Sequence, residues 1–339
     1  GNNDILSGCS TGFMKFEVEF GELYEVGGVL TEHLNLASSD KYFLDGATQY
    51  KKGINFEYTQ LMPTGIGQKS WLTDRELSDS SAVRAIHIKA GNDDEGVICF
   101  LNDSTGIITS NATKIQYKLY NASGLQATES ITINSAVGIG SPASANVTEK
   151  LAYFGCLPAN IKNAFSPFTA NVTTVTDWTY YTFQLTDNSD AGQSRLLVIE
   201  RSDAPCKNDS AVLTWQNQVG GYDWFRFDGK TDTNIEKSGK DYNKPIGSYN
   251  NATFTYDTYS RQKTSFYINN KQSFLLRTGV IDETEQELLS NVLKSQNVML
   301  YYKNEWLPVV VNTNSFQVQE QTAQVKFASM TVELAQDQL

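Results

Sequence analysis

The residue spacings that announce catalysis are missing from this 339-residue chain, and histidine, a common catalytic base, occurs only twice. The histidines are His33 and His87, so a Ser-His-Asp triad would have to use one of them. His87 falls in an alternating run of apolar and polar residues, which is typical of a strand and predicts a solvent-facing or paired histidine. The same interpretation is favoured for His33. We therefore predict no catalytic residue of this kind.

Metal-binding patterns are also weak. The cysteines are dispersed, with neither a CxxC pair nor a histidine at metal-ligand spacing, which indicates free, partly buried thiols. They are Cys9, Cys99, Cys156 and Cys206. The segment 228–234 is rich in Asp, Asn and Thr but lacks the spacing and the closing Glu of a calcium loop, so a hairpin turn is favoured. We expect neither a metal nor a cofactor.

Motifs and charge exclude several functional classes. The chain contains no zinc-protease HExxH, no P-loop and no dinucleotide-binding GxGxxG. Its net charge of -11, from 27 Lys and Arg against 38 Asp and Glu, opposes tight binding to nucleic-acid phosphates. No apolar run approaches the roughly 18 to 20 residues that span a bilayer. The expectation is a protein that is not an enzyme and has no membrane span.

The elements that must position these residues are mainly strands. Hydrophobic residues make up 40% of the chain and aromatic residues 12%, enough for a sizeable core. Residues 13–20 and 114–120 alternate between apolar and polar positions, as half-buried strands do. Residues 83–89 and 96–101 flank the acidic turn 91–95 and predict a β-hairpin. The first half is therefore predicted to be all-β.

A linker-like segment divides the sequence. Ser, Ala and Gly dominate residues 134–146, so we place a domain boundary there, between an N-terminal β domain (1–145) and a C-terminal β domain (150–339). An extended loop is expected over residues 229–251. Further strands are predicted at 178–185, 194–200, 211–216, 222–227, 253–259, 264–268, 298–302, 309–311 and 324–334.

One segment of the second half has a helical pattern. Asp282 can cap a first turn while Glu285 lies three residues later, which is a capping box. The apolar residues that follow recur on one helical face. They are Leu288, Leu289, Val292 and Leu293. The sequence therefore predicts an all-β protein of two β-sandwich or barrel-like domains with one short amphipathic helix at about 283–294.

Bulky aromatic residues are concentrated in one stretch of the second half. They are Trp215, Tyr222, Trp224, Phe225 and Phe227. On a strand, Trp224 and Arg226 share one face while Phe225 and Phe227 share the other, so at least one face is expected to be buried. A core or a subunit interface is favoured over a platform on which sugar rings stack.

The same stretch resembles a pattern in virion structural proteins of tailed bacteriophages that infect Bacteroidota, crAss-like phages included. Cys206 precedes a strand of the form apolar-x-Trp-x-Asn-x-x-Gly, and a second strand begins Tyr-Asp-Trp-Phe-Arg-Phe. Later features follow in the same order, with segment 277–282 before the helix, 293–298 after it and 306–311 towards the end. Gln218 departs from the pattern, because Arg or Lys is common at that position.

The resemblance covers roughly residues 150–339 and implies a structural role. It implies a subunit of a tail or neck ring around the DNA channel, in contact with copies of itself and with other tail or neck proteins. It also implies location in the virion after synthesis in the bacterial cytoplasm. An acidic surface suits a ring through which DNA passes, because it does not bind the phosphates tightly. The structural or interface residues that carry the resemblance are Trp215, Asn217, Gly220, Gly221, Tyr222, Trp224 and Phe227.

Two other functions stay open from the residues alone. A carbohydrate-binding β-sandwich, secreted or displayed on a virion, would use the aromatic cluster, with Trp215 stacking on a sugar. A polysaccharide-degrading β-protein would need a pair of carboxylates that the sequence does not identify. Sugar binding that is lost on Trp215→Ala with the fold intact would favour the carbohydrate-binding β-sandwich. Turnover of a glycan would favour the polysaccharide-degrading protein.

Overall fold

Strands dominate the part of the chain that the computed structural model describes. This part comprises residues 13–16, 20–26, 29–35, 41–44, 61–66, 68–75, 85–101, 112–133, 151–161, 178–202, 210–313 and 327–336. Within these ranges there are twenty strands and two helices. The fold is all-β, as the sequence predicts.

The first four strands form two separate antiparallel pairs. β1 (Phe13–Phe16) pairs with β4 (Lys41–Leu44), and β2 (Phe20–Val26) pairs with β3 (Val29–Asn35), which contains His33. The run predicted as one strand over 13–20 therefore holds the whole of one strand and the start of another. Residues 17–19 lie outside the described residues.

A five-stranded sheet follows. Its strands are β5 (Ile86–Ala90), β7 (Lys114–Asn121), β8 (Gly124–Thr132), β10 (Tyr180–Thr186) and β11 (Leu197–Arg201). They lie in the order β5-β11-β10-β7-β8, and only the β5–β11 pair is parallel. The predicted alternation over 114–120 is confirmed, because Ile115, Tyr117 and Leu119 are buried and the residues between them are half-buried.

A separate pair lies beside this sheet. β6 (Val97–Leu101) pairs with β9 (Leu151–Gly155), which is followed by the one-turn helix α1 (Pro158–Ile161). The predicted hairpin of residues 83–101 is wrong, because β5 pairs with β11 and β6 with β9. The turn between β5 and β6 is anchored in the interior, since the buried carboxylate of Asp94 accepts a hydrogen bond from the Gly91 N–H at 2.7 Å.

Strand pairing crosses the domain boundary predicted near residues 134–146, which themselves lie outside the described residues. β10 and β11, from the second half, are the central partners of β7 and β5 in the five-stranded sheet. β9 completes the pair with β6. The pairing therefore does not follow a division into 1–145 and 150–339, because strands from beyond residue 150 form the ladders with β5, β6 and β7.

The second large sheet has seven antiparallel strands. They are β12 (Ala211–Gln216), β13 (Tyr222–Phe227), β14 (Asp232–Asn243), β17 (Lys263–Arg277), β18 (Val298–Tyr302), β19 (Glu305–Val311) and β20 (Ser329–Leu334). Their order is β13-β12-β18-β19-β20-β17-β14. β15 (Ser248–Asn250) and β16 (Thr253–Thr255) form a small hairpin between β14 and β17. The predictions for β12, β13 and β18 are confirmed to the residue.

This sheet must curl. β13 and β14 are its two edges, yet only residues 228–231 connect Phe227 to Asp232. Five residues of extended chain span at most about 18 Å, whereas the edges of a flat seven-stranded sheet lie about 29 Å apart. The connection is a crossover between the two edges and not the hairpin turn predicted at 228–234.

The single amphipathic helix predicted from the sequence is α2 (Glu283–Val292). The Asp282 carboxylate accepts a hydrogen bond from the Glu285 N–H, and the Glu285 carboxylate accepts one from the Asp282 N–H, so the capping box is confirmed. Leu288, Leu289 and Val292 pack inside the seven-stranded sheet. The helix ends two residues before the predicted end, and Leu293 is its exposed C-terminal cap.

Two hydrophobic cores share one wall, the β12–β13 hairpin. Val212 and Trp224 pack into the first core, with the five-stranded sheet and the β6–β9 pair. The alternate residues of the same strands, such as Leu213 and Phe225, pack into the second core, with α2 and the seven-stranded sheet. Both faces of β13 are therefore buried, which explains why its sequence is bulky at every position.

Candidate functional site

The aromatic residues of the stretch that resembles phage virion proteins lie mainly inside the protein. Trp215 and Phe227 are fully buried in the second core, and Trp224 is buried in the first core. Tyr222, at the start of β13, is half-buried. The interpretation of this cluster as a platform for sugar rings is wrong, because buried ring faces offer no surface to a ligand. The cluster is structural.

The turn between β12 and β13 is built around the buried side chain of Asn217. Its amide oxygen accepts hydrogen bonds from the backbone N–H groups of Val219, at 3.1 Å, and Gly221, at 2.9 Å. Its amide nitrogen donates to the carbonyl oxygen of Leu72 at 2.7 Å. One side chain thus closes the turn and attaches it to a segment 145 residues earlier in the chain.

The two glycines of this turn have different roles. Gly220 adopts a φ of 81°, in the left-handed region that side chains rarely occupy. Gly221 allows close approach of the backbone, because a Cβ atom there would overlap the carbonyl oxygen of Leu72. The turn therefore needs glycine at both positions, once for conformation and once for space.

A cluster of buried carboxyl groups joins the same turn to residues 72–74. The Asp223 carboxylate accepts hydrogen bonds from the Thr73 hydroxyl and from the backbone N–H of Asp74, the latter at 2.8 Å. The Asp74 carboxylate in turn accepts from the Gln218 N–H at 3.3 Å. Burial raises the pKa of Asp74 to about 7, and the nearby Asp223 charge adds to that shift. Burial also raises the pKa of Asp223.

Sequence reasoning missed Thr73, Asp74 and Asp223. The one available signal was an aspartate inside an otherwise aromatic strand, between Tyr222 and Trp224. A buried carboxyl group in such a strand requires hydrogen-bond donors, but nothing in the sequence identifies donors about 150 residues away. The cluster fastens the hairpin to the rest of the protein.

A second charged contact crosses the shared wall. The Arg226 guanidinium is buried and forms ion pairs with Asp94 and, at 2.6 Å, with Asp228. Burial raises the pKa of Asp94, although Arg226 opposes that effect. The arrangement holds the β5–β6 turn against β13, and its charges are paired within the chain.

The residues considered for catalysis or metal binding do not converge. The exposed His87 ring lies 2.7 Å from the Glu200 carboxylate, so the expectation of a solvent-facing strand histidine is confirmed. Cys99 and Cys156 are buried and outside any disulfide, as predicted, and burial raises the pKa of the Cys156 thiol. Cys9 and Cys206 lie outside the described residues. Across the described ranges, no group of three or more His, Cys, Asp or Glu side chains is placed to hold a metal.

The feature most suited to an external partner is a projecting β-hairpin. β14 and β17 pair from Asp232–Leu275 at the base to Asn243–Lys263 at the far end. Only the basal part, Ser273 to Arg277, also pairs with β20. We call residues 235–272, including the small β15–β16 hairpin, the arm. The prediction of a loop over 229–251 is wrong, because Asp232–Asn243 is a continuous strand.

The arm exposes large hydrophobic side chains along its length. Nine of the sixteen exposed large hydrophobic residues among the described residues belong to it. They are Ile235, Tyr242, Tyr249, Phe254, Tyr256, Tyr259, Phe266, Tyr267 and Ile268. Tyr259 is 82% exposed and Phe266 75%. Isolated exposed apolar residues are normal, whereas a concentration of them along one element is typical of an interaction surface.

Both faces of the arm contribute to this surface. Paired residues of an antiparallel ladder point to the same face, so Ile268 lies on the face that continues from the core residue Phe274. Tyr267, next to it, lies on the opposite face beside its partner Lys240. Because neither face of the arm is buried, the sequence of β14 has no period of apolar and polar residues. The strand was therefore not predicted.

The arm also has open strand edges. Outward from Ser273, β17 pairs with β14 and with no other strand in the described part of the chain. Edges of this kind, unpaired with a second strand in the described residues, can add a strand from a partner, and the side chains supply apolar contact area. Open edges and exposed apolar side chains are both typical of surfaces that contact another protein.

Comparison of the sequence with protein-family models finds no match, and neither does comparison with curated proteins. In the described residues, no helix is long and apolar enough to cross a membrane.

Proposed function

We propose that this protein is a virion structural protein of a tailed bacteriophage, which forms a ring in the tail or neck around the DNA channel. Within that role it would be a tail hub, distal-tail or collar component, present in the virion after synthesis in the host cytoplasm. Its partners are copies of itself and neighbouring tail or neck proteins. The function includes no catalysis and requires no cofactor.

The observation that carries the proposal is the arm. A monomer would leave nine large hydrophobic side chains in water, whereas a subunit of an assembly buries them against a neighbour. The resemblance of residues 150–339 to phage virion proteins supports the same role. The net charge of -11 is consistent with a channel through which DNA passes without being held.

The carbohydrate-binding alternative loses its proposed site, since Trp215 and Trp224 are buried. No specific arrangement among the described residues favours a glycan over a protein partner, so no second function is proposed.

The test is the mass of the purified chain at high concentration by light scattering, with negative-stain images of the same sample. Closed rings of uniform diameter with a central opening are expected. A chain that stays monomeric at high concentration and low salt, or irregular aggregates without closed rings, would contradict the proposed ring, and glycan binding by such a monomer would favour the carbohydrate-binding alternative.

A further inference from the structure

The arm and the rest of the chain carry charges of opposite sign. Residues 235–272 hold six Lys and Arg against three Asp and Glu, a net charge of +3. The remaining residues hold 21 Lys and Arg against 35 Asp and Glu, a net charge of -14. We call this remainder the body. A basic arm on an acidic body makes the chain electrostatically complementary to its own copies.

The positive charges of the arm are available for an external contact. Lys237, Lys240, Lys244 and Arg261 are all exposed, and none forms an ion pair within the described residues. Lys240 lies directly opposite Tyr267 in the hairpin, so a cationic and an aromatic side chain lie side by side on one face. A partner for this face must offer both negative charge and apolar surface.

We propose that the arm of one copy docks on the acidic body of a second copy of this chain. The contact rests on the ring function proposed above and specifies the surfaces that form the ring. Because the arm and the body are different surfaces, the contact is heterologous, and heterologous contacts close into rings when the rotation between subunits permits.

Charge favours a second copy over nucleic acid as the occupant. Phosphate would be attracted by the arm but repelled by the body of net charge -14 at its base. The nine exposed hydrophobic side chains also require an apolar counter-surface, which a protein provides and a phosphate backbone does not.

The length of the arm suits this contact. The nine strand residues from Ile235 to Asn243 extend about 27 Å, and the β15–β16 hairpin continues beyond them. This reach is close to the diameter of a small domain, about 30 Å, so one arm can cross the face of a neighbouring body.

The first variant removes the arm. Asn234 and Ser273 are paired across the ladder, so residues 235–272 can be replaced by the dipeptide Asn-Gly, which favours a two-residue hairpin turn. The second variant neutralises the arm, with Lys237→Gln, Lys240→Gln, Lys244→Gln and Arg261→Gln. Unchanged melting temperatures of both variants would show that the body remains folded.

A matched control adds the same negative charge elsewhere. Four exposed polar side chains of β8 are changed, which lowers the net charge by four, as neutralising the arm does. The changes are Gln126→Glu, Thr128→Glu, Ser130→Glu and Thr132→Glu. Self-association of each protein is measured by sedimentation velocity in about 50 mM and about 500 mM salt.

The β8 control is expected to associate at least as strongly as the wild type, because it keeps the basic arm and makes the body more acidic, and both should associate more strongly at low salt. The arm-neutralised variant should lose about 30-fold to 100-fold in affinity. The arm-deleted variant should be monomeric alone yet bind wild-type protein in a mixture, because it keeps the acidic body.

Three results would overturn the inference, and they separate it from the ring function. If the arm-deleted variant alone forms the same rings as the wild type, the ring function stands and the arm is excluded as the contact between subunits. A monomeric wild type at low salt would contradict both. Binding of the wild type to a fluorescent duplex of about 30 base pairs that is lost when the arm is neutralised, with self-association unchanged, would assign the arm to DNA.

Discussion

The Asp223 carboxylate accepts a hydrogen bond from the backbone N–H of Asp74 at 2.8 Å, across 149 residues of sequence. The contact brings two buried carboxyl groups together where the β12–β13 turn meets residues 72–74. Burial and the proximity of the two groups both disfavour the charged form of Asp74, while Lys294 and Asn291 partly oppose that effect. The proton on this pair is therefore linked to the stability of the fold.

Stability is expected to fall as the pH rises towards 7. The pKa of Asp74 is about 7 in the folded protein and about 3.8 in the unfolded chain, so between these values the folded state holds a proton that the unfolded chain has released. The free energy of unfolding then decreases with rising pH in that range. Chemical denaturation between pH 4 and about 8 measures this slope.

Asp74→Asn tests the origin of that slope. The amide keeps an oxygen that can accept from the Gln218 N–H but carries no charge, so the variant should be more stable than the wild type near pH 8 and show a flatter pH dependence. Asp190→Asn, at an exposed carboxylate, is the control and should leave the slope unchanged. Equal slopes for all three proteins would assign the pH dependence to other groups.

Gly221→Ala should destabilise the protein by about 1 to 3 kcal/mol. The added Cβ would overlap the carbonyl oxygen of Leu72, and backbone atoms cannot move aside as a flexible side chain can. Gly65→Ala is the matched control, because no heavy atom lies within 4 Å of its added Cβ, and it should change stability by less than about 0.5 kcal/mol. Urea denaturation gives both values. Equal stability of the two variants would show that the turn relaxes freely.

Arg226→Met should cost about 3 to 5 kcal/mol, because it leaves the buried carboxylate of Asp94 without its counter-charge. Adding Asp94→Asn to this variant should recover most of the loss. The Arg277–Asp232 pair is more exposed, so Arg277→Met should cost less than about 1 kcal/mol. A similar loss of stability in both single variants would mean that burial does not determine how much these ion pairs contribute to the free energy of unfolding.

Trp224→Ala should cost about 3 to 5 kcal/mol, since it removes a large side chain from the first core. Trp224→Glu should prevent folding, because it buries a charge as well. Tyr259→Ala, at an 82% exposed position on the arm, should change the stability of the monomer by less than about 0.5 kcal/mol. Circular dichroism during thermal unfolding distinguishes these variants. A stable, folded Trp224→Glu protein would contradict the shared wall.

The sequence predicts the elements whose environment is simple. β12, β13 and β18 are found to the residue because each is an apolar run bounded by turn residues. The capping box of Asp282 and Glu285 is a local pattern, so α2 also follows from the sequence. β14 was missed because both of its faces are exposed, and a strand with two exposed faces has no hydrophobic period. Elsewhere in the arm, the strands predicted at 253–259 and 264–268 overlap β16 and β17.

Contacts between distant residues could not be predicted in the same way. The sequence around residues 83–101 has the form of a hairpin, but Asp94 is buried against Arg226, 132 residues later, and the two strands pair elsewhere. The partners of Asp223 are likewise set by tertiary structure. Alternation predicts that a residue lies on a strand but not which distant strand lies beside it.

The shared wall also dictates an order of events on the ribosome. The first core includes buried side chains between Trp71 and Ile133 but is completed by β9, β10 and β11 and finally by Val212 and Trp224. A nascent chain that has been translated only to residue 145 still lacks β9, β10 and β11, the strands that pair with β6, β7 and β5. Translation proceeds at about 5 to 20 residues per second, so these apolar strands remain unpaired for several seconds. During that time a chaperone can bind them.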